Sequence, residues 1–407
     1  MGKAARAAGE TPLRRRAGLP EDIIFSNILV RLPPKSLLRC RAVCRAWRRA
    51  TSKRRFLLAH HTHQPVHPVF LADEEIFGVP CHNIRAFDHR TNDVQTVAQL
   101  DEAFDLEASC DGLLVLSKFD YTARFRSFFV CNPATREHAP LRCPPWDFHI
   151  LGMYAHRPTG EYRLILQRTI DMKLSEGQIG CYVFLLGSDQ PPRYIGWPET
   201  GSWTFEVPVR VHDSLHWYSQ FHLGKSNPPQ HQRDNTPVIV FNTIDESFRR
   251  MHAPVVSTQA TIFDMDGKLG IYRRNYEMKQ IDVDPFMKEK ETIGIWVLRN
   301  YESEVWDKKY RIKLPLAEMR DDFGNHDYYC LEVVSGDGDV FMLLLLGRYL
   351  ICVDSNGKLL ENSNIGLENP RMTKWLLKQS LVQHTFFPAL EGYAVNGSPW
   401  LPKLTHL

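Results

Sequence analysis

The 407-residue chain predicts a small all-α module near its N-terminus followed by an all-β, propeller-type domain. Three observations carry that expectation. Apolar residues at helical spacing, punctuated by prolines, fill residues 19–60. From residue 68 onward, short runs rich in Val, Ile, Phe, Tyr and Leu alternate with Gly- and Asp-containing turns. Those runs recur as a two-part unit at a step of roughly 45 to 57 residues, the period of a propeller blade.

Composition sets the frame. At 43% hydrophobic and 24% charged, the chain is ordinary globular material, long enough for two or three domains. Its longest apolar run, 340–347, is far too short to cross a bilayer, and no apolar stretch opens the chain, so neither membrane nor secretory route is expected. Met1-Gly2 is followed by Arg6 where myristoylation calls for Ser or Thr. Nine cysteines without a Cys-x-x-Cys pair read as free thiols in a reducing compartment, which places the protein inside the cell, in nucleus or cytoplasm.

The net charge of +3 is unevenly divided: residues 1–58 hold 15 Lys and Arg against 3 acids, a surplus of +12, and the remainder carries −9. Such a segment can steer encounter with an acidic protein, bind nucleic acid, or act as a nuclear signal through Arg14-Arg15-Arg16. Nucleic-acid reading would add exposed aromatics or a groove-reading helix, whereas Trp47 lies on an apolar face, so steering is favoured.

Residues 1–18 are Ala-, Arg- and Gly-rich without periodicity and are expected to be disordered and basic. At Pro20 a helix can start without losing a useful N–H, and Glu21 and Asp22 complement its positive end. Ile24, Phe25, Ile28, Leu29 and Leu32 then make one stripe, which Pro33-Pro34 stops near Arg31. A second helix is expected from Lys35 or Ser36, with Leu37, Cys40, Val43, Cys44 and Trp47 on one face and Arg39, Arg41, Arg45, Arg48 and Arg49 on the other. A third, about Ser52 to Ala59, adds Phe56 and Leu57. Three short helices sit near the lower limit for a self-sufficient core, so some apolar surface is left for a partner.

These residues resemble the F-box: Leu19-Pro20 opening the first helix, Leu32-Pro33 closing it, Ser36-Leu37, and Val43-Cys44-Arg45 with Trp47. The resemblance spans residues 19–60 and implies binding to the Skp-type adaptor, and through it to a cullin, of a ubiquitin ligase. The matching contact positions are Leu19, Pro20, Ile24, Ile28, Leu32, Pro33, Leu37, Val43, Cys44 and Trp47. A helical cap packed on the chain's own next domain is the plainer alternative.

Residues 61–67 read as a linker, and His60, His61, His63 and His67 as part of a solvated stretch, since no Cys or carboxylate accompanies them as a metal ligand. In residues 68–400 six units can be aligned. Their landmarks are Ala86-Phe87-Asp88, then 109–116 with 129–136, 162–166 with 181–184, 214–218 with 238–242, 267–272 with 295–298, and 339–343 with 350–354. One blade alone buries little, and a closed ring covers every sheet face, so 375–382 is expected as a final strand completing a blade begun near Pro68. Two stacked β-sandwiches are the alternative.

This region resembles the F-box-associated domain of plant F-box proteins, a kelch-like, propeller-type interaction domain. The residues are Ser109-Cys110-Asp111-Gly112-Leu113-Leu114, Asn132-Pro133-Ala134-Thr135-Arg136, Tyr162-Arg163-Leu164, Leu215-His216-Trp217, Phe241-Asn242 with Glu246-Ser247-Phe248, and Trp296-Val297-Leu298. It departs from that pattern after Arg136, where Glu137-His138-Ala139 stands in place of a strand tryptophan.

No P-loop, GxGxxG, HExxH or GxSxG motif occurs, so no enzymatic role, cofactor, metal or catalytic residue is expected. Asp264-Met265-Asp266-Gly267 could open a calcium loop, but Asn275 stands where the bidentate acid belongs, and a hairpin turn is expected instead. Trp197, Trp203, Trp217, Trp296, Trp306 and Trp375 are expected as packing residues. The implied role is a non-catalytic substrate receptor of an Skp-cullin-F-box ligase, holding an unknown target protein close to a ubiquitin-loaded enzyme. Long polar loops at 223–236 and 273–291 are candidates for the target. The competing readings are a propeller that senses a small molecule or acts as an enzyme, marked by perturbed titratable groups in the channel, and a basic nucleic-acid-associated protein.

Overall fold

The structure, a computed structural model, describes residues 19–387 apart from 77–78, 101, 123, 145, 169–178, 197–205, 220–235, 279–287, 325–328, 337 and 366–367. The expectations for residues 1–18, Trp197, Trp203, the loop at 223–235 and residues 388–400 lie outside the described residues. Two compact units meet in sequence between Gln64 and Pro65.

In the first unit the expected helix over 20–31 is wound at three pitches: α-helical at Glu21–Ile23, π-helical at Ile24–Ile28 and 3-10 at Leu29–Arg31. Side chains compete here for main-chain acceptors, with Ser26 donating to the carbonyl of Asp22 and Arg31 to that of Asn27 at 2.7 Å. The second expected helix is two helices, Pro34–Cys40 and Arg45–Thr51. Between them Cys44 is extended (φ −157°, ψ 162°), and its Sγ accepts the Trp47 N–H at 3.4 Å, so it caps the later helix. Arg41 holds the break closed by donating to the Thr51 carbonyl at 2.8 Å. The last helix is Arg54–His63, starting later and ending later than periodicity suggests.

Residues 61–67 are therefore not all linker. Helix runs through His63, and the first strand of the second unit begins at His67. His60 is fully buried, contrary to a solvated stretch: its Nε2 lies 2.8 Å from the Leu32 carbonyl, which also accepts from Gln64 at 3.1 Å. Burial lowers the affinity of this imidazole for a proton.

The second unit is six four-stranded antiparallel sheets, the blades of a propeller. Blade 1 holds His67–Ile76, Val79–Asp88 and Asp93–Leu100, and blade 2 holds Asp105–Cys110, Leu113–Asp120, Phe125–Asn132 and Glu137–Pro140. Blade 3 holds Phe148–His156, Glu161–Arg168, Cys181–Leu185 and Arg193–Gly196, and blade 4 holds Val209–Val211, Ser214–Tyr218, Val238–Asn242 and Ser247–Met251. Blade 5 holds Ala260–Met265, Lys268–Met278, Lys288–Asn300 and Val305–Lys313, and blade 6 holds Cys330–Gly336, Asp339–Leu346, Tyr349–Val353 and Leu359–Asn364. The six aligned sequence units fall on these blades.

Closure comes from the tail. Strand Glu368–Leu377 pairs antiparallel with His67–Ile76 and supplies the fourth strand of blade 1. It lies earlier than the 375–382 read from sequence. Beyond it Leu381, Val382 and Phe387 are buried without strand pairing.

Packing explains the unbroken apolar runs. Val340, Met342, Leu344 and Leu346 face blade 5, while Phe341, Leu343 and Leu345 face blade 1. In blade 2, Leu113 and Val115 face blade 3 while Leu114 and Leu116 face blade 1. Strand alternation thus feeds two interfaces at once, and six clusters fill six blade junctions. Stacked sandwiches would not give a closed cycle of neighbours. Trp217 belongs to one junction, wholly buried, with its indole N–H on the Leu151 carbonyl of blade 3 at 3.1 Å.

Candidate functional site

Two places combine outward or convergent side chains in a way the fold alone does not require. The first is the surface of the helical unit. Leu19, Pro20, Ile28, Pro33, Val43 and Cys44 are exposed, and Ile24, Leu32 and Trp47 are half-buried. Leu37 differs: it is fully buried and belongs to the unit's own core, because the break at Arg41–Val43 turns it away from Val43. It is corrected from contact residue to interior support. The expected single face running from Leu37 to Trp47 does not exist. Ile23 and Leu58 are exposed apolar residues that sequence reasoning passed over, each lying beside a residue that fits the stripe better. On the opposite account of charge, Arg39, Arg45, Arg48, Arg49, Lys53, Arg54 and Arg55 are all exposed.

The second is where the propeller is drawn shut. Asp111 and Gly112 form the turn after the innermost strand of blade 2. The Asp111 carboxylate takes a bidentate pair from Arg210 of blade 4, at 2.7 and 3.3 Å, and the Tyr162 hydroxyl of blade 3 at 3.4 Å. Gly112 adopts φ +90°, and a Cβ there would stand 2.5 Å from the Cβ of Ser380 in the tail. Asn132 is fully buried; its amide donates to the Ser380 carbonyl at 3.1 Å and its Oδ1 accepts the Ala134 N–H. Two landmarks that look independent in sequence, Cys-Asp-Gly and Asn-Pro-Ala-Thr-Arg, therefore converge on one tail residue. Burial pushes the Cys110 thiol far above its ordinary range, which leaves it a neutral packing group. Where a strand tryptophan is missing, Ala139 fills the junction of blades 2 and 3, and Trp146 packs against the same cluster.

Innermost strands also bring together charges that no motif announces. Lys374 on the closing strand of blade 1 pairs with Glu206 ahead of blade 4, the blade opposite. Close by, Glu332 of blade 6 accepts from Tyr272 at 3.2 Å, and burial raises its carboxyl to about 7. Arg274 pairs with fully buried Glu291 at 2.6 Å, and Glu291 also accepts from Tyr329. Of the candidate loop at 273–291, residues 279–287 lie outside the described residues, and the remainder is corrected. Arg273–Met278 and 288–291 are strand, with Glu291 inside the fold. Asp266 and Gly267 form a tight hairpin turn at φ 50° and 81°, with the Gly267 N–H on Asp264 at 2.7 Å. Among the described residues no group of three or more His, Cys, Asp and Glu has metal-holding geometry, and no helix is long and apolar enough to cross a membrane.

A closed six-bladed ring on one chain with a helical unit that turns apolar side chains outward defines a β-propeller protein with an N-terminal helical module. The chain belongs to the F-box associated beta propeller domain family, whose model matches residues 75–354, and an F-box-like model matches residues 17–62. It is similar to the F-box protein At3g07870 of Arabidopsis thaliana, 25% identical over 322 residues that cover 72% of each chain. Another Arabidopsis thaliana relative, the F-box protein At5g49610, is 24% identical over 222 residues, half of this chain and 59% of that one. Among solved structures, TolB from Acinetobacter baumannii aligns at 10% identity and a TM-score of 0.39, over 75% of this chain and 65% of that one.

Proposed function

We propose that this protein is the substrate-recognition subunit of an Skp-cullin-F-box ubiquitin ligase. One observation carries the reading: an F-box-like helical unit exposes Leu19, Ile23, Ile28 and Val43 on the same chain as a propeller that buries its own faces. Exposed apolar side chains on a small unit call for a protein partner, and the Skp-type adaptor, with a cullin behind it, is the one the family implies. The propeller then holds a target protein, and the chain contributes proximity with no reacting side chain of its own. The basic face of the helical unit speeds encounter with an acidic adaptor surface. Co-purification tests this: a Skp-type adaptor should be retained by the natural chain and lost from the Ile28→Asp/Val43→Asp variant, whose propeller should melt unchanged. Equal retention would remove the adaptor reading.

A second reading has its own observation, Glu332 and Lys374 on the innermost strands grouped with Glu206 just ahead of blade 4. A carboxyl held near neutrality beside a cross-ring ion pair suits recognition of a small polar molecule. Screening charged metabolites for a shift in melting temperature that disappears in Glu332→Gln would support it, and a screen without such a shift would leave the adaptor reading alone.

A further inference from the structure

Among the described residues, the exposed aromatic side chains are Phe119, Tyr121, Phe125 and Tyr276, at 39, 86, 63 and 41% exposure. Three of these four lie on a single hairpin. It joins the two middle strands of blade 2, Leu113–Asp120 and Phe125–Asn132, with Asp120 opposite Phe125 in the register. On either side of residue 123, the Asp120 carboxylate accepts the Thr122 N–H at 2.8 Å, and Arg124 adopts a left-handed φ of 52°. The Phe119 and Tyr121 rings meet edge to face at 4.9 Å. Beneath them the stem is anchored by buried Leu116, Phe128 and Phe129. Large rings on a stiff stem are what a recognition surface needs, since little side-chain freedom is lost on contact.

Charge decides what fits. Lys118 is paired with Glu102, and Arg126 donates to Asp105 and Glu107 at 3.1 and 2.8 Å. Arg124 is exposed and has no carboxylate partner among the described residues. The tip thus offers three rings and one available guanidinium, enough for a single carboxylate but not for a run of phosphates, since Lys118 and Arg126 are already engaged by Glu102, Asp105 and Glu107. We propose that this hairpin is a docking point for a target-protein segment that carries an aromatic or large aliphatic side chain next to Asp or Glu. The inference rests on the target-recognition half of the proposed function and gives that target a chemistry.

The test uses the full chain and random peptides displayed on phage, followed by binding measurements on the selected peptides as synthetic molecules. Selected sequences should pair an apolar side chain with Asp or Glu. Tyr121→Ala/Phe125→Ala should weaken them about tenfold or more, the loss seen when central aromatic contacts are truncated. Arg124→Glu should weaken the same peptides and strengthen their Lys-substituted forms. Because the tip buries little, both variants should melt as the natural chain does. An absence of selected peptides, selected peptides indifferent to both variants, or tighter binding of a single-stranded oligonucleotide at this tip would each overturn the proposal. Adaptor co-purification on the same preparations separates the two claims. Peptides bound at the tip by a chain that ignores the adaptor would keep the docking point and remove the ligase reading. An adaptor-bound chain whose peptides ignore the tip would do the reverse.

Discussion

The helical unit buries Leu29, Val30, Leu37 and Leu57 and leaves Leu19, Ile23, Ile28, Val43 and Leu58 at least 40% exposed, whereas each blade of the propeller is covered on both faces by its neighbours. The difference is geometric. A strand side chain points alternately to two faces, so a ring of sheets can use every apolar residue it has, while a short helix with one packed side has nowhere within its own unit to place the other. Clustered apolar surface left outward marks an interaction site, and the adaptor of the proposed function is what would cover it here. In the proposed function, self-sufficiency in one region and dependence in the other are the physical content of a two-part receptor.

The most damaging way to break that comparison is at the seam of the ring. A chain stopped after Asn364 lacks the strand Glu368–Leu377 and the tail residues that meet Gly112 and Asn132. It should lose its cooperative melt altogether, because blade 1 then has an open edge and one junction loses Leu377. A chain beginning at Pro65 should by contrast keep β-type circular dichroism and a single melt. If it does not, the propeller is not self-sufficient and the comparison fails.

Side-chain truncation should show the same contrast on a smaller scale. Trp217→Ala removes a wholly buried side chain and its hydrogen bond to Leu151, and should cost about 3–5 kcal/mol in chemical denaturation. Val43→Ala, at 66% exposure, should change stability by less than about 0.5 kcal/mol while weakening adaptor binding. Similar stability losses at the two positions would mean that the helical unit packs its outward residues after all.

Acidity offers a subtler probe. The Glu332 carboxyl titrates at about 7 in the fold against an ordinary 4.5, so the folded state holds the proton more tightly. Its contribution is greatest below pH 4.5 and is lost as pH rises through about 7. Glu332→Gln should therefore stabilise the propeller at pH 8 relative to pH 5, by about 1 kcal/mol after discounting for solvent around a half-buried side chain. In the helical unit His60 has the opposite sense: its proton affinity is lowered by burial, so its contribution is present above the ordinary imidazole value of 6.5 and declines as pH falls below it. A Glu332→Gln profile parallel to that of the natural chain would show that the carboxyl is not desolvated.

The smallest expected effect concerns charge alone. Exchanging Arg48, Arg49, Arg54 and Arg55 for Gln should leave stability within about 0.5 kcal/mol, since exposed charges contribute little to it. Adaptor association should slow and lose most of its salt dependence, with dissociation nearly unchanged. A salt-independent association rate in the natural chain would remove steering.

Local chemistry written in the sequence was enough for the two-part layout, the six repeated units and the hairpin turns. Pro20, Pro33-Pro34, Asp266-Gly267 and the apolar runs each constrain their own neighbourhood, and period and turn chemistry act over a few residues. Tertiary structure decided what depends on distant partners. The second helix is split because Cys44 can cap from an extended backbone once Arg41 reaches Thr51, so Leu37 faces inward although its spacing matches Val43. His60 is buried against the carbonyl of Leu32, 28 residues away, a contact that no local pattern announces. Gly112 and Asn132 carry the marks of tight turns, yet their common reason is Ser380, which no local pattern connects to either. Glu332, Lys374 and Glu206 become neighbours only when the ring closes, because proximity between residues far apart in sequence is a property of the closed chain and leaves no periodic trace along it.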